Sequence, residues 1–193
     1  MRAVPHLYEL ADEHAGVFTA TEAADAGISH AALVMAARRG TVEPLSRGIY
    51  RLIHYPADQE VVQLWEAVLW PTVGRKPWST VGVLSHLTAL RLHFSRLEYT
   101  PPKVSITIPL DLRIRRIAPT WLDVHTARLR DKDVTNLTAG LPVTSLERTL
   151  FDCIAAKVDR RLIERVIDDA LQRDELPVAL DEASVVALRK ALG

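Results

Sequence analysis

Hydrophobic residues recur along the chain with two different spacings, and the spacing predicts the type of each element. An apolar stripe with helical spacing predicts a helix over residues 4–14 that ends at Gly16. Residues 58–70 show a strongly amphipathic pattern, which predicts a second helix that ends at Pro71. The period changes to two in residues 104–108, where apolar residues alternate with Ser and Thr. That alternation predicts a half-buried strand.

A short helix, a tight turn and another helix follow the N-terminal helix. Thr19 and Glu22 have the spacing of a capping box, in which a hydroxyl and a carboxylate satisfy free N–H groups at a helix start. Residues 27–29, Gly-Ile-Ser, form the turn, and Ser29 caps a helix over about residues 30–39. This spacing is typical of a helix-turn-helix.

Two short apolar runs, 41–45 and 49–52, come next. Residues 46–48, Ser-Arg-Gly, lie between them and supply the positive φ angle that a tight hairpin needs. A helix-turn-helix followed by a hairpin is a winged helix, so residues 1–54 are predicted to form one domain. The hairpin region is also basic, because four arginines lie in or beside it and its one acid is Glu43.

The rest of the chain is predicted to form a second domain, residues 57–193, which we call the body. It is predicted to have mixed α/β structure with a small sheet and several helices. Further helices are predicted at 81–93, at 145–156, after the capping residue Asp159, and at about 181–192. Thr144 and Glu147 have capping-box spacing at the start of the 145–156 helix. Further strands are predicted at 113–117 and 121–126. The predicted fold class is therefore α+β.

The charge of the chain is balanced overall but uneven along its length. The formal net charge is +0, yet residues 71–130 carry 10 basic and 3 acidic residues. In the predicted strand 113–117, Arg113 and Arg115 share one face, while Ile114 and Arg116 share the other. Arg75, Lys76, Arg113 and Arg115 are thus a second candidate anion-facing surface. The alternative is a solvated face that pairs with the acidic C-terminal part.

Several classes of chemistry find no support in the sequence. One cysteine, Cys153, allows neither an intrachain disulfide nor a cysteine-based zinc site. No glycine-rich phosphate loop, signal peptide or apolar run of membrane-spanning length is present. His86 and His93 lie seven residues apart, the wrong spacing for two ligands of one zinc ion, and no carboxylate is placed to orient Ser85 and His86. We expect no catalytic residues, no metal and no cofactor.

Three segments, taken in order, resemble the AbiEi-type antitoxins. The first is FTATEAADAGISHAALVMAARRGTVEPLSRGIYRL, which is similar to the N-terminal winged helix of that family. SHLTALRLH at 85–93 and LPVTSLERTLFDCIA at 141–155 resemble the body that follows, and RLIERVIDDALQRDELPVALDEASVVALRKAL resembles its helical tail.

The resemblance implies an antitoxin of a bicistronic toxin–antitoxin system in the bacterial cytoplasm. Such proteins repress their own promoter through the winged helix, at inverted repeats, and their body counters a nucleotidyltransferase-like toxin. Paired repeats require two copies on the DNA, of a chain expected to be a monomer in solution. Because the chain stops before the nuclease-like domain of longer relatives would start, we expect no nuclease activity.

The winged helix and the resemblance together predict the DNA-binding residues. These are Thr21, Ser29, His30, Ala31, Val34, Arg38, Arg47 and Arg51. The recognition helix of the family usually displays several basic residues, whereas residues 31–37 here are apolar. The wing is therefore expected to contribute more of the DNA affinity than it does in relatives.

Two other functions fit the same sequence. In the first, the body sequesters the toxin and the winged helix does not bind DNA. In the second, the chain is an atypical enzyme that modifies the toxin covalently.

Overall fold

The computed structural model of the protein describes residues 3–75, 82–94, 100–172 and 180–192. The helices, numbered in chain order, are α1 (Ala3–Asp12), α2 (Ala20–Asp25), α3 (His30–Arg38), α4 (Gln59–Leu69), α5 (His86–His93), α6 (Leu146–Ala155), α7 (Arg160–Gln172) and α8 (Glu182–Leu192). The strands are β1 (Val17–Thr19), β2 (Val42–Ser46), β3 (Ile49–Leu52), β4 (Val83–Leu84), β5 (Val104–Ile108), β6 (Leu122–Thr126), β7 (Val134–Asn136) and β8 (Pro142–Thr144). The fold is α+β, as predicted.

The N-terminal elements follow the order α1-β1-α2-α3-β2-β3, which is that of the predicted winged helix. The three strands form an antiparallel sheet in the order β1-β3-β2. The capping box at α2 is present, because the Thr19 hydroxyl accepts from the Glu22 N–H at 3.1 Å and the Glu22 carboxylate accepts from the Thr19 N–H at 2.5 Å. At α3 the Ser29 hydroxyl accepts from the Ala32 N–H at 3.2 Å.

The small sheet of the winged helix is covered on both faces. Phe18 and Leu52 pack with the helices of the winged helix, around Leu33 of α3. Val17 and Ile49 belong to a different core, which they share with α4 and the second sheet. Since neighbouring residues on a strand point to opposite faces, α3 and α4 lie on opposite sides of this sheet.

The second sheet has five strands in the order β6-β5-β4-β8-β7, with β5–β6 and β4–β8 parallel and the other pairs antiparallel. Helix α4 packs against it, and buried residues from Val62 to Trp70 join Ile106 and Val143 in one core. Helices α5 to α8 form a further core around Leu150 and Ile163. In these described segments, no helix combines the length and the apolar character needed to cross a membrane.

The prediction of a strand at 113–117 is wrong. These residues lie in the connection between the parallel strands β5 and β6 and have no sheet partner. A parallel pair needs a crossover connection, and this one packs Leu112 and Ile114 onto the core that contains α4. The alternation of exposed Arg113 and Arg115 with half-buried Ile114 is nevertheless present.

Two element boundaries also differ from the sequence-based prediction. Helix α5 starts at His86 because Val83 and Leu84 pair with β5, and Leu84 also pairs with β8. The α6 cap is Ser145, whose hydroxyl accepts from the Arg148 N–H, one residue after the predicted Thr144. The hydroxyl of Thr144 lies 2.7 Å from that of Thr149 instead.

Substitution of Gly48 in the wing hairpin tests how closely the wing packs against Val73 of the body. The φ angle of Gly48 is +84°, and an added Cβ would lie 2.6 Å from Cγ1 of Val73. Gly40 is a matched control, since its φ is +69° and nothing lies within 4 Å of an added Cβ. Gly40→Ala should cost about 1 kcal/mol through the left-handed backbone alone. Gly48→Ala should cost about 1–3 kcal/mol more, because the methyl group also displaces Val73.

Urea unfolding of both variants gives the two free energies of unfolding. The double variant Gly48→Ala/Val73→Ala should lose less stability than the sum of its single changes, because the contact is then removed. Equal losses for Gly40→Ala and Gly48→Ala would contradict the close approach of the wing to Val73.

Candidate nucleic-acid interface

Helix α3 buries one side chain and leaves one face open. Leu33 is fully buried and anchors the helix in the core of the winged helix. The open face consists of the exposed residues His30, Ala31, Val34, Met35 and Arg38. Val34 is 37% exposed and Met35 is 43% exposed, so the two apolar side chains are neighbours on this open face. Four of these five residues were predicted as DNA-binding residues, and Met35 joins them.

Two further predicted DNA-binding residues, Ser29 and Thr21, lie at the N-terminal ends of α3 and α2. Ser29 is exposed at the start of α3, where it serves as the cap. Thr21 is half-buried at the start of α2, and its hydroxyl accepts from the Gly74 N–H at 3.2 Å. Thr21 therefore ties the winged helix to the loop that follows α4.

The two predicted wing arginines have different surroundings. Arg47 is exposed in the turn between β2 and β3. Arg51 is half-buried, pairs with Glu43 across the hairpin and donates to Oε1 of Gln59 in α4 at 2.9 Å. The guanidinium of Arg51 is thus neutralised within the protein, on the side of the sheet that faces α4.

Three arginines from distant parts of the sequence meet beside the wing turn. We call Arg47, Arg75 and Arg116 the arginine cluster. The guanidinium of Arg116 lies over the ring of Trp70, 4.2 Å from its centroid. Burial, together with the positive charges of Arg75 and Arg47, lowers the pKa of Arg116 to about 10. Arg75 donates to the backbone carbonyl of Arg113, which joins the two body segments.

The arginine cluster carries charge that no carboxylate of the described segments neutralises through an ion pair. Within the same segments, Nη2 of Arg116 is buried without a hydrogen-bond partner. Like charges held together at a partly buried site create a positive potential that attracts anions. A phosphate group is a suitable partner, because guanidinium groups bind it through paired hydrogen bonds.

The second predicted anion-facing surface is present only in part. Arg113 and Arg115 are exposed on the connection between β5 and β6, and Arg75 is half-buried beside it. Lys76 lies outside the described residues. Arg116 was missed, because the alternation placed it with Ile114 on the inner face. The side chain of Arg116 does lie on the inner face, with its guanidinium over the ring of Trp70.

Ser85, His86 and His93, the residues considered for catalysis, make contacts with each other and with neighbouring residues of the fold. Ser85 is fully buried, and its hydroxyl lies 3.0 Å from Nδ1 of His86. The ring of His86 stacks on that of His125 at 3.6 Å, and burial together with this neighbour lowers the pKa of His86 to about 4. Nε2 of His93 donates to the Thr144 carbonyl at 2.8 Å. In the parts of the chain that the structure describes, no group of three or more His, Cys, Asp or Glu residues is arranged to hold a metal ion.

Comparison with known proteins found a family model and solved structures that are similar to this chain. The family model described as "Transcriptional regulator, AbiEi antitoxin" matches residues 7–53. No curated protein matches the chain. A solved structure, "Crystal structure of RV2827C protein from Mycobacterium tuberculosis", is 15% identical with a TM-score of 0.45, over 97% of this chain and 75% of that chain.

The family match covers the elements that build the candidate interface. It runs from Leu7 in α1 to the residue after β3, and so includes α2, α3 and the wing. It also includes all eight residues that the sequence predicted to contact DNA. Residues 7–53 of this chain therefore match the family of transcriptional regulators described as AbiEi antitoxins.

Proposed function

We propose that this protein binds inverted repeats in its own promoter, represses transcription there, and counteracts a nucleotidyltransferase-like toxin encoded beside it. It acts in the cytoplasm, without a cofactor and without catalysing a reaction. The observation that carries the proposal is the arginine cluster, which forms no ion pair with a carboxylate of the described segments. It lies beside the turn of a wing, and that wing is part of residues 7–53, which match a family of transcriptional regulators.

The open face of α3 supports insertion into the major groove. The sheet of the winged helix separates α3 from α4, so the body lies behind the recognition helix rather than in front of it. The open face runs from His30 to Arg38 and carries no acid. The recognition helix of a helix-turn-helix places its N-terminal residues against base edges in the major groove.

The wing turn supports contact with the DNA backbone. Gly48 packs against Val73, so the backbone next to Arg47 is held in place. Arg75 and Arg116 come from the body and add their charge to that of Arg47. A group held in place before binding loses less conformational entropy on binding, which favours affinity. Arg51 has no part in this contact because Glu43 and Gln59 already hold it.

An inverted repeat suits a winged helix that binds DNA as two copies. One copy occupies one half-site, and two copies related by a two-fold axis occupy the pair. The antitoxin role rests on the family of residues 7–53, and the body is the part of the chain left to contact the toxin.

Removal of the wing arginine tests the DNA contact directly. Arg47→Ala should weaken binding to the upstream region of the gene and reduce the slope of log affinity against log salt by about one unit. The reason is that one phosphate contact, and the counterions it releases, is lost. Fluorescence anisotropy at several salt concentrations measures both quantities.

Arg161→Ala is the matched control, because it removes the same charge from an exposed position on α7. It should leave the affinity and the salt slope unchanged. Wild-type affinity and slope in Arg47→Ala would refute the role of the wing, and absence of any DNA binding by the wild type would refute the proposal as a whole.

Separate sites for DNA and toxin give a further prediction. Full-length Arg47→Ala, expressed from a constant foreign promoter, should still protect cells from the toxin as well as the wild type does. Growth after induction of the toxin measures protection. Loss of protection in a variant that is folded and present at normal levels would show that the wing also serves the antitoxin role.

A further inference from the structure

The open face of α3 has a composition that restricts what it recognises. Its central residues are Ala31, Val34 and Met35, and none of the three carries a hydrogen-bonding side chain. His30 at one end and Arg38 at the other are the polar members. The hydroxyl of Ser29 already accepts the capping hydrogen bond from Ala32.

The major groove offers such a face only one kind of apolar partner. Guanine is usually read by Arg or Lys, and adenine by Asn or Gln, through paired hydrogen bonds. None of these residue types lies among residues 29–37 of this chain. The methyl group of thymine is the apolar feature of the groove, and it contacts side chains such as Ala and the methyl group of Thr.

The charges around this face favour DNA over another protein surface as its partner. No residue of α3 is acidic, and the exposed Arg38 and Arg39 stand at its C-terminal end. The apolar part consists of one small and two medium side chains, less than the patches that usually join protein copies. A narrow apolar strip bordered by positive charge suits a groove whose edges are phosphates.

We infer that Ala31, Val34 and Met35 read thymine methyl groups in the major groove of the operator. This rests on the proposed DNA binding and adds the chemistry of recognition to it. The two tasks of binding are then divided between two surfaces: the arginine cluster and Arg38 supply affinity through phosphates, and the apolar face of α3 supplies discrimination.

Uracil in place of thymine tests the inference, because it removes the methyl group and keeps the base pairing. The upstream region of the gene is amplified once with dTTP and once with dUTP, and the full-length protein is titrated against both probes. The wild type should bind the uracil probe about threefold to tenfold more weakly, as expected for the loss of one or two buried methyl contacts.

Val34→Thr/Met35→Gln is the variant that locates the effect on α3. Both side chains are exposed and both replacements are similar in size, so the fold should be retained. The variant should bind the thymine probe more weakly than the wild type and discriminate less between the two probes. Val186→Thr is the matched control, since Val186 is 65% exposed on α8, and it should keep the wild-type ratio.

Each alternative outcome has a distinct meaning. Equal binding of both probes by the wild type would refute methyl recognition and leave the proposed function standing. An unchanged preference in the double variant would assign the effect to DNA shape and so refute the role of α3. A wild-type dimer that the double variant dissociates, seen by size-exclusion chromatography, would show that this face joins two copies. Failure of the wild type to bind either probe would refute the proposed function itself.

Discussion

The burial of the wing sheet on both faces is the constraint on which the rest of the structure depends. Val17 and Ile49 lie in the core that contains α4, while Phe18 and Leu52 lie in the core that contains α3. The sheet is therefore an inner layer between two sets of helices. Because interiors are closely packed, this arrangement restricts movement of the wing relative to the body. It also fixes which side of the winged helix remains open.

The arginine cluster is a consequence of that arrangement. Gly48 packs on Val73, and Thr21 binds Gly74, so the wing turn lies beside the segment that ends in Arg75. Arg116 reaches the same place from the connection between β5 and β6 and is held over Trp70. The contact with the indole ring offsets part of the cost of burying a guanidinium beside other positive charges. Because no carboxylate of the described segments pairs with these arginines, the cluster favours binding of an anion.

The local elements could be predicted because their signals are local. The Thr19–Glu22 capping box, the Ser29 cap and the positive φ of Gly48 each depend on residues within one or two turns of chain. They were sufficient to predict the winged helix and the open face of α3. The family resemblance, read from the sequence, is confirmed for residues 7–53, whereas the division into domains at residues 54 and 57 stays a prediction.

The errors and omissions concern contacts between distant segments. The alternation at 113–117 has the period of a strand, yet no neighbouring strand pairs with it, and a sequence pattern does not report the partner. The sequence also did not show that Glu43 and Gln59 would bind Arg51, because folding brings these residues to it. Arg116 was missed for the same reason, since only the fold brings it to Trp70 and the wing.

Hydroxyl-radical footprinting of the upstream region tests the central claim, that the winged helix and the arginine cluster bind DNA together. Two copies should protect two symmetry-related half-sites whose centres are separated by about one helical turn or a multiple of it. Each footprint should extend beyond the groove occupied by α3 to the backbone reached by the wing. Absence of protection at protein concentrations that saturate a gel-shift assay, or a single footprint without symmetry, would contradict this account.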